Sequence, residues 1–257
     1  MKHARIAWRG AVHHAVHHAA ADGDRLLLAD GTLLAEDEVV WLPPVVPGTI
    51  IALGINYADH KKELAQELTL SAKDEPLAFL KGPNALVGHR GVTRRPADAA
   101  FMHYECELAV VIGRHAKRVA RADALGCVAG YTIANDYAVR DYLENWYRPN
   151  LRVKNRDGCT ALGPWLVDAA EVPDPHALAL RTWVNGELRQ HGHTRDLIDD
   201  VPALIEYLSS FMTLAPGDII LTGTPEGVSN VMPGDEVVCE VEGLGRLVNT
   251  LVADTPA

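Results

Sequence analysis

The chain has 257 residues, 48% of them hydrophobic, and a formal net charge of −10. A surface this acidic is unsuited to neutralising phosphates, so we expect no nucleic-acid partner. No apolar run reaches the roughly 20 residues that cross a bilayer, and the N-terminal segment lacks the apolar centre of a signal peptide; we therefore expect a cytoplasmic protein with no membrane partner. The cysteines are far apart and form no CxxC pair, which predicts reduced thiols rather than a zinc site: Cys106, Cys127, Cys159 and Cys239.

The first 46 residues are predicted to form a small β unit of their own. Asp30-Gly31 stands between two apolar runs, which is typical of a β-hairpin. Pro43, Pro44 and Pro47 then interrupt the pattern and indicate a boundary. A catalytic domain is expected to follow over residues 47–257. The histidines at 13, 14, 17 and 18 are interpreted as a surface segment of the N-terminal unit.

The main body is dominated by short strands. An Asn185-Gly186 pair predicts a second hairpin, between 178–184 and 187–190. A helix is predicted over 56–68 from its polar start, and another over 120–129 with Asp123 in its first turn. Apolar spacing predicts a third helix over 201–211. Strands are predicted over 49–54, 76–81, 107–112, 130–135, 218–221, 236–241 and 243–252. The predicted fold class is α+β and mainly β: a mixed or antiparallel β roll with short peripheral helices.

Three acidic residues are candidate metal ligands. Glu105 and Glu107 are two residues apart in a strand-like run, so their side chains point to the same face. Buried carboxylates this close repel each other, and a hard cation such as Mg²⁺ relieves the repulsion. Asp136, just past another predicted strand, supplies a third carboxylate. The alternatives are a solvated acidic edge for the glutamates and a turn or helix N-cap for Asp136.

Other polar residues are candidates for catalysis or anion binding. His60 and Glu63 share a face if helical, and such a pair can act as a general acid and base; an ordinary charged surface helix is the alternative. Lys81 and Lys154 are candidate cations for a substrate carboxylate, or simply solvated charges. The turn 221–227 has hydroxyls and backbone N–H groups suited to an anion, or is only a turn.

These pieces together resemble the fumarylacetoacetate hydrolase superfamily. They occur in family order between about 49 and 250: Gly54–His60, Glu63, Pro76–Lys81, Tyr104–Leu108, Ala134–Asp136, Lys154, Asn185–Glu187, Gln190 and Thr222–Gly227. Residues 135–154 are most similar to the family's bifunctional isomerase/decarboxylases, and specifically to their C-terminal halves.

The resemblance implies the β-roll fold of that family and a set of residue roles. It implies a divalent cation, Mg²⁺ or Mn²⁺ with Ca²⁺ as another occupant, held by Glu105, Glu107 and Asp136. It implies Lys154 beside the metal and a lid carrying His60 and Glu63. Implied substrate contacts come from Gln190 and Thr224, and the family often forms homodimers, here with or without a sister subunit. Candidates for the substrate's other carboxylates are Lys81, Arg140, Arg148 and Arg152.

The resemblance also implies a reaction class. A metal-bound 2-oxo acid forms an enolate that serves decarboxylation, isomerisation and carbon–carbon hydrolysis alike. Our hypothesis is decarboxylation of 5-oxopent-3-ene-1,2,5-tricarboxylate with isomerisation of 2-hydroxyhepta-2,4-diene-1,7-dioate, in 4-hydroxyphenylacetate degradation. The alternatives are an acylpyruvate or fumarylpyruvate hydrolase and, in a different class, a non-catalytic partner subunit.

Overall fold

The computed structural model describes residues 1–20, 23–59, 75–143 and 150–254. The strands in these ranges are β1 (Lys2–Trp8), β2 (Ala11–His18), β3 (Arg25–Leu28), β4 (Leu33–Leu34), β5 (Val40–Leu42), β6 (Ile50–Gly54), β7 (Leu77–Lys81), β8 (Leu86–Val87), β9 (Val92–Arg95), β10 (Met102–His103), β11 (Cys106–Ile112), β12 (Val128–Asp136), β13 (Ala138–Val139), β14 (Thr160–Asp168), β15 (Ala179–Val184), β16 (Glu187–His193), β17 (Ile219–Leu221), β18 (Glu236–Val241) and β19 (Gly245–Ala253). The α-helices there are α1 (Leu151–Lys154) and α2 (Val201–Phe211).

Most strands belong to two mixed sheets. The larger has the order β4-β3-β2-β1-β14-β12-β11-β17-β6-β7, with β5 paired to β1 and β8 to β14. The smaller has the order β16-β15-β18-β19-β9, and β10 pairs with β13 separately. Antiparallel pairs predominate, while β6 and β17, β8 and β14, and β9 and β19 run parallel. The predicted mainly-β fold with mixed sheets is confirmed.

Strand β11 lies at the centre of the core. Every residue from Cys106 to Ile112 is buried, as expected for a strand covered on both faces. Leu108 and Val110 face the large apolar cluster that also contains residues of β15 and β18. Ala109 and Val111 face a smaller cluster on the other side, with residues of β6 and β17. The side chains thus alternate with the period of a strand.

The N-terminal strands extend the larger sheet. Strand β1 pairs with β14 through Lys2↔Val167 and His3↔Leu166. The Asp30-Gly31 hairpin is confirmed, because β3 and β4 pair across it and Gly31 has φ +88°. The domain boundary near residue 46 stays a prediction.

The second hairpin and one helix match their predictions. Strands β15 and β16 pair across Asn185-Gly186, whose φ values of +50° and +81° are those a tight hairpin turn requires. Helix α2 begins after Asp200, whose side chain accepts a hydrogen bond from the Ala203 N–H at 2.9 Å.

One predicted helix is shorter than expected and of the 3₁₀ type, and another falls largely outside the described residues. The segment from Arg121 to Cys127 is a 3₁₀-helix, and β12 already begins at Val128. Strand pairing of Val128 with Ile112 takes over where an α-helix was expected to continue. Of the helix predicted over 56–68, residues 60–68 lie outside the described ranges. No helix in the part of the chain described has the length and apolar character to cross a membrane.

Candidate metal centre

The three candidate ligands meet where the start of β11 pairs with the end of β12. Glu105 directly precedes β11, Glu107 lies within it, and Asp136 is the last residue of β12. One carboxylate oxygen from each lies within 4.8 Å of the others, and all three residues are buried. Asp136 was expected just past its strand. Pairing instead continues through it, because its N–H bonds the Glu105 carbonyl at 2.9 Å and Thr160 stands opposite.

Three cations compensate two of these carboxylates. Lys154 Nζ lies 2.5 Å from Glu105 Oε2 and 2.9 Å from Asp136 Oδ2. Lys81 Nζ lies 2.7 Å from Asp136 Oδ1 and also donates to the Lys154 carbonyl. Arg140 Nη2 donates to Glu105 Oε1 at 2.8 Å. Three negative and three positive side chains therefore share one buried region.

The ion pairs keep both partners charged despite their burial. Burial alone would raise the pKa of Asp136, but Lys154 and Lys81 outweigh it and the pKa is lowered. Burial alone would lower the pKa of Lys154, but Asp136 and Glu105 outweigh it and the pKa is raised. The carboxylate of Asp136 is thus available as an oxygen ligand at neutral pH.

Glu107 differs from its two neighbours. Its Oε2 accepts the Gly223 N–H at 2.6 Å, while its buried Oε1 has no hydrogen-bond partner among the described residues. Burial, and then the charges of Asp136 and Glu105, raise the pKa of Glu107 well above its usual range. A buried oxygen without a partner, facing two further carboxylates, fits a hard cation that takes oxygen ligands.

A cleft opens beside this cluster. Its volume is about 90 Å³. One part of its wall is apolar and another is charged or polar; the lining residues are Leu53, Gly54, Ile55, Leu77, Ala78, Phe79, Glu105, Arg140, Leu143, Asn150, Val153, Lys154 and Thr224. The cleft is therefore suited to a small acid that also carries an unsaturated carbon chain.

The backbone at the edge of the cleft is strained. Ile55 has φ +59°, a left-handed conformation that is costly for a β-branched residue. Its neighbour Asn56 holds the segment in place: the Asn56 amide donates to the Asp199 and Thr222 carbonyls and accepts the Asp199 N–H. This fixed turn brings Ile55 to the cleft wall.

The structure separates the predicted site residues into groups. Glu105, Glu107, Asp136 and Lys154 come together, Arg140 pairs with Glu105, and Thr224 lines the cleft. Lys81 lies beneath Asp136 and Gln190 lies behind Thr224; neither lines the cleft.

The remaining predicted residues either lie away from the cluster or fall outside the described residues. Arg152 is exposed, stacks on the Tyr142 ring at 3.8 Å and lies 4.0 Å from Asp98. His60, Glu63 and Arg148 lie outside the described residues.

Several supporting contacts of the site were not predicted from the sequence. The turn 221–227 was considered as an anion site, and the anion its Gly223 N–H holds is the Glu107 carboxylate. The Asn135 side chain, which accepts the Glu105 N–H at 3.0 Å, was not singled out. The apolar wall formed by Leu53, Leu77 and Phe79 was also missed, because those side chains follow an ordinary strand pattern.

Comparison with known proteins identifies the family of this chain. A family model described as fumarylacetoacetate (FAA) hydrolase C-terminal matches residues 49–252. The chain belongs to the fumarylacetoacetate hydrolase family. Among its relatives in that family is a 4-hydroxyphenylacetate degradation bifunctional isomerase/decarboxylase from Salmonella dublin, 55% identical over 93% of this chain. The chain spans 58% of that relative's length.

Solved structures of the family share the fold over the whole chain. A 5-carboxymethyl-2-hydroxymuconate delta-isomerase from Mycobacterium smegmatis matches with a TM-score of 0.85 and 38% identity, covering 100% of both chains. A maleylpyruvate hydrolase from Sphingobium sp. SYK-6, in complex with manganese (II) ion and pyruvate, matches with a TM-score of 0.81 and 28% identity over 99% of this chain and 100% of that one.

Proposed function

We propose that this chain is a divalent-metal-dependent decarboxylase and isomerase of unsaturated 2-oxo di- and tricarboxylic acids. The proposed substrates are 5-oxopent-3-ene-1,2,5-tricarboxylate for decarboxylation and 2-hydroxyhepta-2,4-diene-1,7-dioate for isomerisation. The unpartnered, buried Oε1 of Glu107 is the observation that carries the proposal. Glu105, Glu107 and Asp136 would hold Mg²⁺ or Mn²⁺.

The charges of the site favour an anionic substrate. The three carboxylates are balanced by Lys154, Lys81 and Arg140, so a divalent cation leaves a net positive charge for an incoming carboxylate. When bound, the metal polarises the 2-oxo group and stabilises the enolate that forms on loss of a proton or CO₂. Lys154, which lines the cleft, would stabilise the developing negative charge.

The remaining roles concern the far end of the substrate and the proton. Arg140 lines the cleft and is the candidate in the described residues for a distal carboxylate, with Arg148 as a second candidate. His60, oriented by Glu63, would move the proton as general acid and base. The 55% identity to a bifunctional isomerase/decarboxylase supports this reaction class. We propose that the chain acts as a homodimer, with or without a sister subunit.

A hydrolase of acylpyruvates or fumarylpyruvate is the second candidate. The similarity to a maleylpyruvate hydrolase in complex with manganese (II) ion and pyruvate favours it. Its chemistry needs the same three carboxylates, and it differs from the first candidate in its products.

The experiment measures CO₂ and pyruvate in the same reaction mixture, because one is the product of the decarboxylase and the other of the hydrolase. Purified, metal-stripped chain is supplied with Mn²⁺ and, in separate reactions, with the tricarboxylate, the dioate, an acylpyruvate or fumarylpyruvate. CO₂, pyruvate and the ultraviolet spectrum of the diene are recorded. We expect CO₂ from the tricarboxylate and a spectral shift from the dioate, both lost on chelation and in Glu107→Ala. Pyruvate without CO₂ would establish the hydrolase instead. Wild-type turnover with no metal dependence would reject the site, and absence of turnover on every substrate would favour a non-catalytic partner subunit.

A further inference from the structure

The side-chain amide of Gln190 has all of its hydrogen-bonding positions occupied. Gln190 is 1% exposed on β16. Its Oε1 lies 2.8 Å from the Thr182 hydroxyl and 3.4 Å from the Cys106 N–H. Its Nε2 lies 2.9 Å from Thr224 Oγ1 and 2.8 Å from the Pro225 carbonyl. A substrate could bond Gln190 only by displacing one of these partners.

Two of the partners determine which way the amide points. The backbone N–H of Cys106 can only donate, and the carbonyl of Pro225 can only accept. The amide oxygen must therefore face Cys106, and the NH₂ group must face Pro225. In this orientation Thr182 donates its hydroxyl hydrogen to Gln190, and Gln190 donates to the oxygen of Thr224.

This chain of bonds determines the direction of the Thr224 hydroxyl. Its oxygen accepts from Gln190, and its one hydrogen has no acceptor among the residues the structure describes. Thr224 lines the same cleft as Arg140 and Lys154. The hydroxyl hydrogen is therefore free to donate into the cleft, toward an oxygen that only accepts.

We propose that Gln190 is a positioning residue that fixes the Thr224 hydroxyl as a hydrogen-bond donor to the carboxylate or enolate oxygen of a 2-oxo acid. Gln190 itself does not touch the substrate, and Thr182 holds Gln190 from behind. This inference rests on the proposed function, because it takes a 2-oxo acid as the ligand of the cleft.

A double-mutant cycle on ligand affinity tests the proposal. The probe is oxalate, which presents paired carboxylate oxygens, titrated into Mn²⁺-loaded protein by calorimetry. Thr224→Val removes the donor and should weaken oxalate binding about tenfold, the effect of one hydrogen bond to a charged group. Gln190→Met should weaken it by a similar factor, because the hydroxyl is then free to turn toward the Pro225 carbonyl. Thr224→Ser keeps the donor and should retain most of the affinity.

The combined variants distinguish positioning from direct contact. In the Thr224→Val background, Gln190→Met should have almost no further effect on oxalate affinity. Multiplied effects, near a hundredfold in total, would mean that Gln190 contacts the ligand itself and would overturn the proposal. Unchanged oxalate affinity in Thr224→Val would also overturn it.

A milder variant covers the case in which Gln190→Met does not fold. Thr182 lies behind Gln190, away from the cleft. Thr182→Val removes its hydroxyl and leaves the Cys106 N–H as a donor to Gln190 Oε1. It should weaken oxalate binding by about twofold to threefold, and this effect should vanish in the Thr224→Val background. Persistence of the effect there would overturn the proposal. The melting temperature of each variant is measured in parallel, so that a loss of stability is not mistaken for a loss of affinity.

Turnover is measured on the same proteins to separate the two hypotheses. Coupled oxalate effects without turnover of any 2-oxo acid would refute the proposed function and leave the role of Gln190 standing. Turnover of 2-oxo acids with independent oxalate effects would refute the role of Gln190 alone.

Discussion

Replacing Glu107 by glutamine should have opposite effects on folding and on metal binding. The carboxylate oxygens of the cluster lie within 4.8 Å of one another, so at an effective dielectric constant of about 20 each ionised pair repels by about 3 kcal/mol. Glu107 faces two carboxylates, and the attraction of Lys154 offsets roughly one of the two repulsions. Because burial and these two carboxylates raise the pKa of Glu107, we expect Glu107→Gln to raise the free energy of unfolding of the metal-free protein by about 1 to 3 kcal/mol.

The metal-bound protein should respond in the other direction. At a Mn²⁺ concentration 100 times the dissociation constant, binding stabilises the wild type by about 2.7 kcal/mol. If the lost carboxylate weakens the site a hundredfold, the same concentration stabilises Glu107→Gln by only about 0.4 kcal/mol. The glutamine still accepts the Gly223 N–H, so the turn that holds it stays in place.

The assay is urea unfolding followed by tryptophan fluorescence, with chelator and then with Mn²⁺. Glu187→Gln is the matched control, because Glu187 is an exposed carboxylate paired with Arg189 at the surface, where such a pair contributes little. The control should keep both the wild-type stability and the full Mn²⁺ effect. A metal-free Glu107→Gln protein less stable than wild type, or one that keeps the whole Mn²⁺ effect, would refute the reasoning.

Three further perturbations test other parts of the structure. Lys81→Met removes a fully buried ammonium group from Asp136 and should lower the free energy of unfolding by about 3 kcal/mol, measured by urea denaturation; a change below about 1 kcal/mol would contradict the ion pair. Burial lowers the pKa of His89 to about 3, so between pH 6.5 and that value the unfolded chain takes up a proton that the folded protein does not. Stability should therefore fall as the pH falls, by up to about 4 kcal/mol from this residue, and His89→Gln should flatten the pH profile; an unchanged profile would argue against it. Arg140→Ala should raise KM by about 10-fold to 100-fold and Arg152→Ala by less than about twofold, in steady-state kinetics with the proposed tricarboxylate; equal effects would show that the cleft does not distinguish them.

Local patterns predicted the elements that depend on neighbouring residues. The hairpins at Gly31 and Gly186 follow from turn conformations that favour glycine, and helix α2 follows from its apolar spacing. The segment 120–129 was predicted as one continuous helix, but only 121–127 is helical, because Val128 pairs with Ile112. That pairing depends on a strand distant in sequence.

The same limit applies within the candidate site. The spacing of Glu105 and Glu107 predicted a shared face, and both contribute to the carboxylate cluster. The contact between Thr182 and Gln190 could not be predicted, because regular pairing across the Asn-Gly turn places Arg189 opposite Thr182. A bulge between Thr182 and Trp183 shifts the register by one residue and brings Gln190 there instead. The positions of Lys81 and Arg152 likewise depend on packing between distant segments.

The start of β11 and the end of β12, which pair at Cys106 and Asn135, carry all three carboxylates, whereas much of the cleft wall comes from other parts of the chain. Leu53 belongs to β6, Phe79 to β7 and Thr224 to the turn after β17. These walls can change their shape and polarity without disturbing the buried strand pair that holds the acids. The same buried carboxylate cluster can therefore be combined with pockets of different shape and polarity. This accords with the presence of both an isomerase and a hydrolase among the structures that share this fold.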